Sequence, residues 1–420
     1  MKRKRNASQD EFEDDDLDLD LDDDGDDDGL DDLDDLDDLD DGLEEFNLEH
    51  DNLDEFKGER KLKSHSDRLV AGYAAELKGP DVLVVLLHGT TLASALRTAR
   101  PDLNFTFWTP EHFFFRTLQK YHGDAVSGQA PGVGKTTLAC TADLPAGTFD
   151  EALYATYFGD PSEQAQDLLQ MIHQRLRSGG RLIASTNNSR DKWVQSQLRL
   201  IFPNVVVNKQ KHGVACVATK TAELKRVRGF RARSAFRQGA KLVYVESRPG
   251  IFSHRRIDGG ARALIKSLAL LKGEASGSAE FNPSKIIEMG CGCGAVSLAA
   301  AVEYPNAKIL AVDSDARAIE CTQISARLNE ITSVETLLTS DGVIPEPKSW
   351  DLLLGNPPYY SDYRISELFL QAAKNGLRSG GRIHLVTKLL DWHGARMKQL
   401  FASVETHPIG EYVVFTARQK

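Results

Sequence analysis

An internal repeat places the strongest constraint on the fold of this chain. Ser178 and Ser379 each begin the four residues S-G-G-R, and the residues on both sides of the two motifs correspond. With the same offset, FDEALYAT at 149–156 aligns with WDLLLGNP at 350–357. Each copy alternates apolar strand segments with helical segments, a pattern typical of a parallel α/β sheet. The sequence therefore predicts a tandem of two similar α/β domains.

The distribution of charge divides the chain into an acidic N-terminal segment and a basic remainder. Residues 1–60 hold 29 acidic and 6 basic side chains, which leaves the remainder with 33 acidic and 45 basic ones. The Asp-rich stretch at 10–56 cannot bury enough apolar surface to offset its chain entropy, so we predict a disordered acidic tail over 1–65. The tail is interpreted either as a solvated, solubilising segment or as an RNA mimic that shields a basic body.

Several features argue for a cytoplasmic protein. No apolar run reaches the length of a membrane span, and the basic start MKRKR runs directly into acidic residues, unlike a secretory signal. The five cysteines form no C-x-x-C pair, which argues against a disulfide framework and against a zinc site. We expect neither a metal nor a membrane partner.

The second copy contains the pattern of a nucleoside site. A strand, KIIEM, is followed by the loop GCGCG at 290–294 and a helix, and the next strand ends in Asp313. Glycines let the backbone approach a ligand, and an acid at a strand end can bind ribose hydroxyls. Gly290, Gly292 and Ala295 also fit the dinucleotide pattern G-x-G-x-x-G/A. The loop by itself therefore leaves the ligand class open.

A tetrapeptide after the strand WDLLLG narrows the chemistry. It reads Asn356-Pro357-Pro358-Tyr359. Two successive prolines keep the backbone stiff and extended without amide donors, so their carbonyl groups can point at a ligand. Asn356 offers an oriented amide, and Tyr359 offers a flat face for a base. Together with the glycine loop and the strand-end acid, this pattern is specific.

These residues carry a resemblance to a known family. Residues 281–420 resemble a class I S-adenosylmethionine-dependent methyltransferase of the amino-methylating N-P-P-Y type. The stretches PGIFS at 249–253 and IDGG at 257–260 are similar to the P-G-x-F-S…L-D-x-G segment of the bacterial rRNA guanine-N2 methyltransferases C and G. The tandem layout, with a degenerate first copy, also matches that family. The resemblance implies that the cofactor is held by Glu288, Gly290, Gly292, Gly294, Asp313, Asp341 and Asn356.

The resemblance further implies methyl transfer to the exocyclic N2 amine of a guanine in ribosomal RNA, with rRNA or a ribosomal subunit as partner. The implied catalytic residues are Asn356, Pro357, Pro358 and Tyr359. An alternative acceptor is a protein glutamine amide or adenine N6, which enzymes with N-P-P-Y also methylate. An alternative of another class is a non-catalytic RNA-binding ribosome assembly factor. A dinucleotide-dependent oxidoreductase is a third, although it has no use for N-P-P-Y.

The first copy lacks the corresponding residues. Its first strand is followed by Gly89 alone, its second ends in Trp108-Thr109 instead of an acid, and YATY at 154–157 replaces G-N-P-P. We therefore predict that this domain has no cofactor site. The string PGVGKT at 131–136 looks like a P-loop. However, Gln129 stands where a P-loop has its first glycine. The repeat also predicts a strand after this string, where a P-loop needs a helix.

Between the copies, residues 220–262 carry 12 basic and 3 acidic side chains. This basic strip is interpreted as a surface that follows RNA phosphates, the alternative being an ordinary solvated linker. The proposed contacts are Arg226, Arg228, Arg231, Arg233, Arg255 and Arg256. The predicted organisation is a degenerate domain at 66–220, a basic linker at 221–275 that begins the second domain, and a catalytic domain at 276–420.

Overall fold

The structure, a computed structural model, describes residues 62, 64–123, 134–272, 281–358 and 363–420. Two predictions fall on the remaining residues: almost all of the predicted acidic tail, and Tyr359, lie outside the described residues. The described chain begins with helix α1 (His65–Ala71), which Ser64 caps by accepting from the first free backbone amides.

The first copy forms a seven-stranded sheet. Its strands are β1 (Asp81–Val85), β2 (Asn104–Thr109), β3 (Thr136–Cys140), β4 (Phe149–Thr156), β5 (Leu176–Thr186), β6 (Asn204–Gln210) and β7 (Gly213–Thr219). The strand order is β3-β2-β1-β4-β5-β7-β6, and β7 runs antiparallel to both of its neighbours. Helices cover both faces: α2 (Thr91–Ala99), α3 (His112–His122), α4 (Ser162–Arg175) and α5 (Trp193–Ile201).

The second copy has the same topology. Its strands are β10 (Lys285–Met289), β11 (Lys308–Asp313), β12 (Val334–Leu338), β13 (Trp350–Gly355), β14 (Leu377–Thr387), β15 (Ala402–Ile409) and β16 (Tyr412–Arg418). The order β12-β11-β10-β13-β14-β16-β15 repeats that of the first sheet strand for strand. Its helices are α7 (Ala295–Glu303), α8 (Ala316–Leu328), α9 (Arg364–Gly376) and α10 (Leu390–Leu400). The predicted tandem of Rossmann-like domains is confirmed.

The S-G-G-R repeat has a structural cause. In β5 and β14, Gly179 and Gly380 adopt φ of 80° and 73°, which favours glycine. A Cβ on the following Gly180 or Gly381 would lie 2.9 Å from a backbone oxygen. Both glycine pairs thus allow an irregular start of the strand against its neighbour, where the register shifts. The motif that reveals the duplication is therefore a packing motif.

The segment that connects the copies is folded. Strands β8 (Ala232–Gln238) and β9 (Lys241–Ser247) form an antiparallel hairpin, and helix α6 (Gly259–Ser267) follows. Asp258 caps α6 by accepting from the Ala261 amide. A P-loop needs a helix directly after its lysine, but Gly134 and Lys135 lead into strand β3. Residues 131–133 lie outside the described residues. Across the described ranges, no helix is long and apolar enough to cross a bilayer.

The two copies meet through the loops that follow their second strands. The amide of His112 donates to the Ser314 carbonyl at 2.8 Å, and the amide of Ala316 donates to the Pro110 carbonyl at 2.9 Å. Glu111 and Asp315 form the antiparallel bridge between these bonds. The two bonds join equivalent residues of the repeat in opposite directions, so the contact is symmetric with respect to the two copies.

Two buried arginines reinforce this contact. Arg317 is fully buried and donates to the carbonyls of Pro249 at 2.7 Å and of Ala142 at 3.2 Å. Arg248 is almost as buried and pairs with Asp143 of the first copy at 2.6 Å and with Glu320 of α8 at 2.7 Å. Buried charges require such partners, because leaving a charge unpaired costs several kcal/mol, of order 3–5. Because both arginines are buried, water cannot replace the hydrogen bonds and ion pairs that they form between the copies.

Candidate active site

A cavity of about 490 Å³ lies at the carboxyl ends of the second sheet's parallel strands. In an open α/β sheet this edge is where ligands bind, beside the point where the strand order reverses. The cavity floor is made by the loop after β10, by the end of β11 and by the residues after β13. Six residues predicted from the sequence line it: Gly290, Gly292, Asp313, Asn356, Pro357 and Pro358.

The glycine loop supplies a bare stretch of backbone. Gly290, Gly292 and Gly294 have φ of 74°, 53° and 83°, a region that side chains disfavour. A Cβ on Gly292 would meet no atom within 4 Å, so the backbone at this cavity-lining position is open to a ligand. A Cβ on Gly294 would come 2.9 Å from Thr322, because this glycine instead caps α7 behind the loop. Only part of the predicted glycine set thus faces the cavity.

Asp313 ends β11 and fixes the loop from the opposite side. One carboxylate oxygen accepts from the Gly292 amide at 2.9 Å, and the other accepts from the Asp315 amide at 3.0 Å. Burial raises the pKa of Asp313, opposed by these backbone bonds. The Ser314 amide and the Cys291 thiol also help to hold this carboxylate. A ligand hydroxyl pair in the cavity would find two fixed acceptors here.

Glu288 lies behind the loop instead of lining the cavity. Its carboxyl group is buried and accepts from the backbone amide of Ser297 at 2.7 Å and from the Ser297 hydroxyl. Both donors belong to the first turn of α7, so Glu288 ties strand β10 to that helix. Burial raises the pKa of Glu288 to about 8. This position supports the loop from below.

Glu288→Gln is expected to change the pH dependence of stability. Because the folded-state pKa lies near 8 and the ordinary value is 4.5, the folded protein holds a proton that the unfolded chain releases between these values. The free energy of unfolding should therefore fall as pH rises from about 4.5 to 8, by up to about 1.4 kcal/mol per pH unit. Gln removes this contribution but keeps an acceptor for Ser297. Thermal melting of both proteins from pH 5 to 8 checks this: the difference should grow with pH, and parallel curves would contradict it.

Asn356 has a fixed orientation. Its Nδ2 lies 3.0 Å from an oxygen of Asp258, the cap of α6. A carboxylate only accepts, so the amide nitrogen must face Asp258 and the Oδ1 atom must face away. A Cβ on Gly260 would lie 2.8 Å from that Oδ1, which explains the second glycine of the IDGG motif. Among the described residues, none donates a hydrogen bond to Oδ1, so it is available to a ligand.

The predicted cofactor residue Asp341 lies in the loop after β12, beside the cavity. Asp341 itself accepts from the Thr339 hydroxyl at 2.6 Å and pairs with Arg116 of the first copy at 3.3 Å. Its neighbours in the same loop, Thr339, Ser340 and Gly342, line the cavity. The aspartate thus shapes the loop that borders the cavity.

Among the cavity residues that sequence reasoning missed, two belong to the first copy. Glu111 and Phe113, at the start of α3, line the cavity of the second domain. The Ser314 hydroxyl donates to Glu111 at 3.2 Å. The repeat contained a signal for Glu111, because it aligns with Asp315, two residues beyond the missing strand-end acid. The first copy has residues at a cofactor-type cavity, although the cavity belongs to its partner domain.

The basic strip is largely paired within the protein. Arg231 and Arg233 both bind Glu246 across the β8–β9 hairpin, and Arg231 also binds Glu320. Arg255 binds Glu163 through two nitrogens, and Arg228 lies 3.8 Å from the same carboxylate. The other two predicted RNA contacts, Arg226 and Arg256, are exposed and form no ion pair with any residue the structure describes. Four of the six arginines thus have partners that a phosphate would have to displace.

Cysteines and acids give no metal centre within the described ranges, where no group of three or more potential ligands is close enough. All five cysteines are free thiols. Burial raises the pKa of Cys291 well above its usual range and that of Cys293 to about 11, so both remain protonated, small loop residues.

Known proteins share this architecture. Residues 243–416 match the family model described as "Methyltransferase small domain". The chain is 25% identical over 324 residues to a ribosomal RNA small subunit methyltransferase C of Pseudoalteromonas translucida, covering 74% of this chain and 86% of the relative. It is 32% identical over 148 residues to that of Pseudomonas entomophila, covering 34% of this chain and 41% of that protein.

A solved structure extends the similarity in fold over most of the chain. A T. thermophilus 16S rRNA N2 methyltransferase, solved with AdoMet and guanosine, superposes with a TM-score of 0.67 at 19% identity, covering 86% of this chain and 93% of that one. Fold and family model together define a tandem of Rossmann-like domains, of which the second carries a methyltransferase domain. Residues 243–416 carry the methyltransferase small domain, and the chain is similar to ribosomal RNA small subunit methyltransferases C.

Proposed function

We propose that this chain is an S-adenosylmethionine-dependent methyltransferase that modifies the exocyclic N2 amine of a guanine in ribosomal RNA. The observation that carries the proposal is the amide of Asn356, which lines the cavity at the sheet edge and whose Nδ2 is fixed on Asp258. The named relatives and the solved T. thermophilus structure support both the reaction and the substrate.

The cavity fits the cofactor. A bare backbone at Gly292 and a fixed carboxylate at Asp313 are what a ribose with its attached methionine needs. We assign the ribose to Asp313, the methionine end to Gly290 and Gly292, and the support of the loop to Glu288. When bound, S-adenosylmethionine supplies an electrophilic methyl group on a sulfonium ion.

The residues of the chain act on the acceptor. The lone pair of guanine N2 is delocalised into the ring, so the amine is a weak nucleophile. Asn356 Oδ1 and the carbonyl of Pro357 each accept one N–H, which holds the nitrogen in place and directs its lone pair. Fixing two reactants in line is worth up to roughly 7–11 kcal/mol. The amine becomes acidic as it is alkylated, so its proton leaves to solvent without a strong base.

The acceptor base has to leave its helix to reach Asn356, and a flat apolar surface would hold it. Phe252 lines the cavity and is 73% exposed, so one face of its ring is open to a base. We propose stacking on Phe252 together with Tyr359, which would contribute about 1–3 kcal/mol per base. A flat pocket of this kind favours a nucleobase over the glutamine side chain of a protein.

The excess of basic over acidic residues beyond position 60 suits a polyanionic partner. We therefore propose rRNA, free or in a ribosomal subunit, as the partner and the cytoplasm as the location. The assembly-factor alternative would not need the oriented Asn356 amide, and turnover decides between the two.

The direct test is methyl transfer to two RNAs that differ in one group. Purified protein is incubated with tritiated S-adenosylmethionine and either rRNA transcribed with guanosine or the same transcript with inosine, which lacks the N2 amine. We expect incorporation into the guanosine RNA and into ribosomal subunits, and none into the inosine RNA. Equal incorporation into both would place the methyl group elsewhere, and none into any substrate would contradict enzymatic function.

We expect Arg226 and Arg256, which pair with no acidic residue that the structure describes, to contribute more to RNA binding than exposed arginines outside the strip. The double variant R226E/R256E should weaken binding and lower the slope of log affinity against log salt by about 0.7–0.9 for each phosphate that the protein no longer neutralises. R190E/R199E, two exposed arginines of the first copy, makes the same change of net charge outside the strip. Filter binding at several salt concentrations compares the two, and equal slopes would leave the strip as an ordinary surface.

A further inference from the structure

Helix α3 of the degenerate first copy reaches the cavity of the second. It is held there by side-chain contacts in addition to the loop pairing described above. The ring nitrogen Nδ1 of His112 lies 3.1 Å from the Ser340 hydroxyl, and Arg116 pairs with Asp341. Both contacts are with the loop after β12 that borders the cavity. The position of Phe113, between these two anchors, is therefore fixed relative to the second domain.

The strand order determines which part of the ligand would lie there. The sheet runs β12-β11-β10-β13, and Asn356 follows β13. A methyl group that reaches the acceptor must lie near β10 and β13, and the ribose lies at Asp313 on β11. The adenine of the S-adenosyl ligand must then extend away from Asn356, towards the loop after β12, where Phe113 is found.

We infer that the first copy supplies the outer wall of the adenosine subsite, with Phe113 packing on the adenine ring and Glu111 binding the ribose beside Asp313. This inference rests on the proposed function, because it assumes that the ligand is an S-adenosyl compound. The domain without a cofactor site of its own thereby contributes to the site of the other copy.

The local environment supports both contacts. Phe113 is 55% exposed although it lines a cavity, so a free apolar ring face is available to a planar base. Burial and the charge of Asp313 raise the pKa of Glu111 to about 7. Two carboxyl groups that face one cavity repel each other unless a proton or a ligand hydroxyl lies between them. A ribose diol provides two such hydroxyl donors.

The test is the affinity of the full chain for S-adenosylhomocysteine, measured by calorimetry without RNA. We expect Phe113→Ala to raise Kd about tenfold, the effect of removing one aromatic ring that stacks on a base. Phe113→Tyr should restore binding because it keeps the ring. Glu111→Gln should weaken binding several-fold. Phe158→Ala is the matched control, an exposed phenylalanine of the same copy outside the cavity, and should bind like the unmodified chain.

The outcomes separate the two claims. If the unmodified chain binds S-adenosylhomocysteine and Phe113→Ala binds equally well, the wall contributed by α3 is refuted and the proposed function stands. If the unmodified chain does not bind it at all, the proposed function fails and this inference fails with it. Loss of affinity in Phe113→Ala but not in Phe113→Tyr or Phe158→Ala supports the inference.

Discussion

Asn356→Ala should lower kcat by about 100- to 1,000-fold, the usual cost of losing one oriented hydrogen-bonding group at a reacting centre. The reason is that the bond from Nδ2 to Asp258 fixes the orientation of this cavity-lining amide. The side chain orients the acceptor and does not hold the donor, so Kd for S-adenosylhomocysteine should stay nearly unchanged. Single-turnover methylation and calorimetry measure the two effects separately.

Asp258→Asn is the matched variant for this prediction. A second amide at this position can face Asn356 with either its nitrogen or its oxygen, so the orientation of Asn356 is no longer dictated. Asn also keeps the ability to cap α6. We expect an intermediate loss of kcat with cofactor affinity preserved. A normal rate in Asn356→Ala would refute the acceptor role assigned to the amide.

Asp313→Ala should raise Kd for S-adenosylhomocysteine by about 10- to 100-fold or more. Hydrogen bonds to a charged group contribute about 1.5–3 kcal/mol each, and about 1.4 kcal/mol corresponds to a factor of ten. The weaker binding has two sources: the ribose loses its acceptors, and the Gly292 amide loses the bond that holds the glycine loop. Asp313→Asn separates them, because it keeps an acceptor for that amide.

Asp315→Asn is the control, since Asp315 also lines the cavity and stands two residues away. Its carboxylate accepts from the Arg317 amide at 2.6 Å as the cap of α8, a role that Asn can perform. We expect calorimetry to find near-normal affinity. If Asp315→Asn loses affinity while Asp313→Ala keeps it, the ribose contact moves to Asp315.

The fold was predictable because its signals are local. The glycine pairs at 179–180 and 380–381 are needed by the strand geometry, and they mark the same position in both copies. In the site, Asn356 and Asp313 follow strands that the apolar pattern already identifies. The position of such residues at one sheet edge follows from parallel pairing alone.

The remainder depends on contacts that no local pattern encodes. Phe113 precedes Ser340 by more than two hundred residues and meets its loop only because the two copies pair through their second loops. The pairing of Arg231 with Glu320 is also non-local, because the hairpin packs on helix α8, which is distant in sequence. The net charge of 220–262 counts every arginine equally. Whether an arginine is available to bind RNA depends on acidic residues that lie elsewhere in the chain.

The buried arginines have a consequence for how a duplicated gene can diverge. Arg317 and Arg248 of the second half find acceptors on Ala142, Asp143 and Asp167 of the first half. The first half therefore has to preserve the surface that it presents to the second half. Substitutions that disturb this contact should be removed by selection, even where they lie in the first half. Selection should therefore maintain the two halves together, because each depends on its contact with the other.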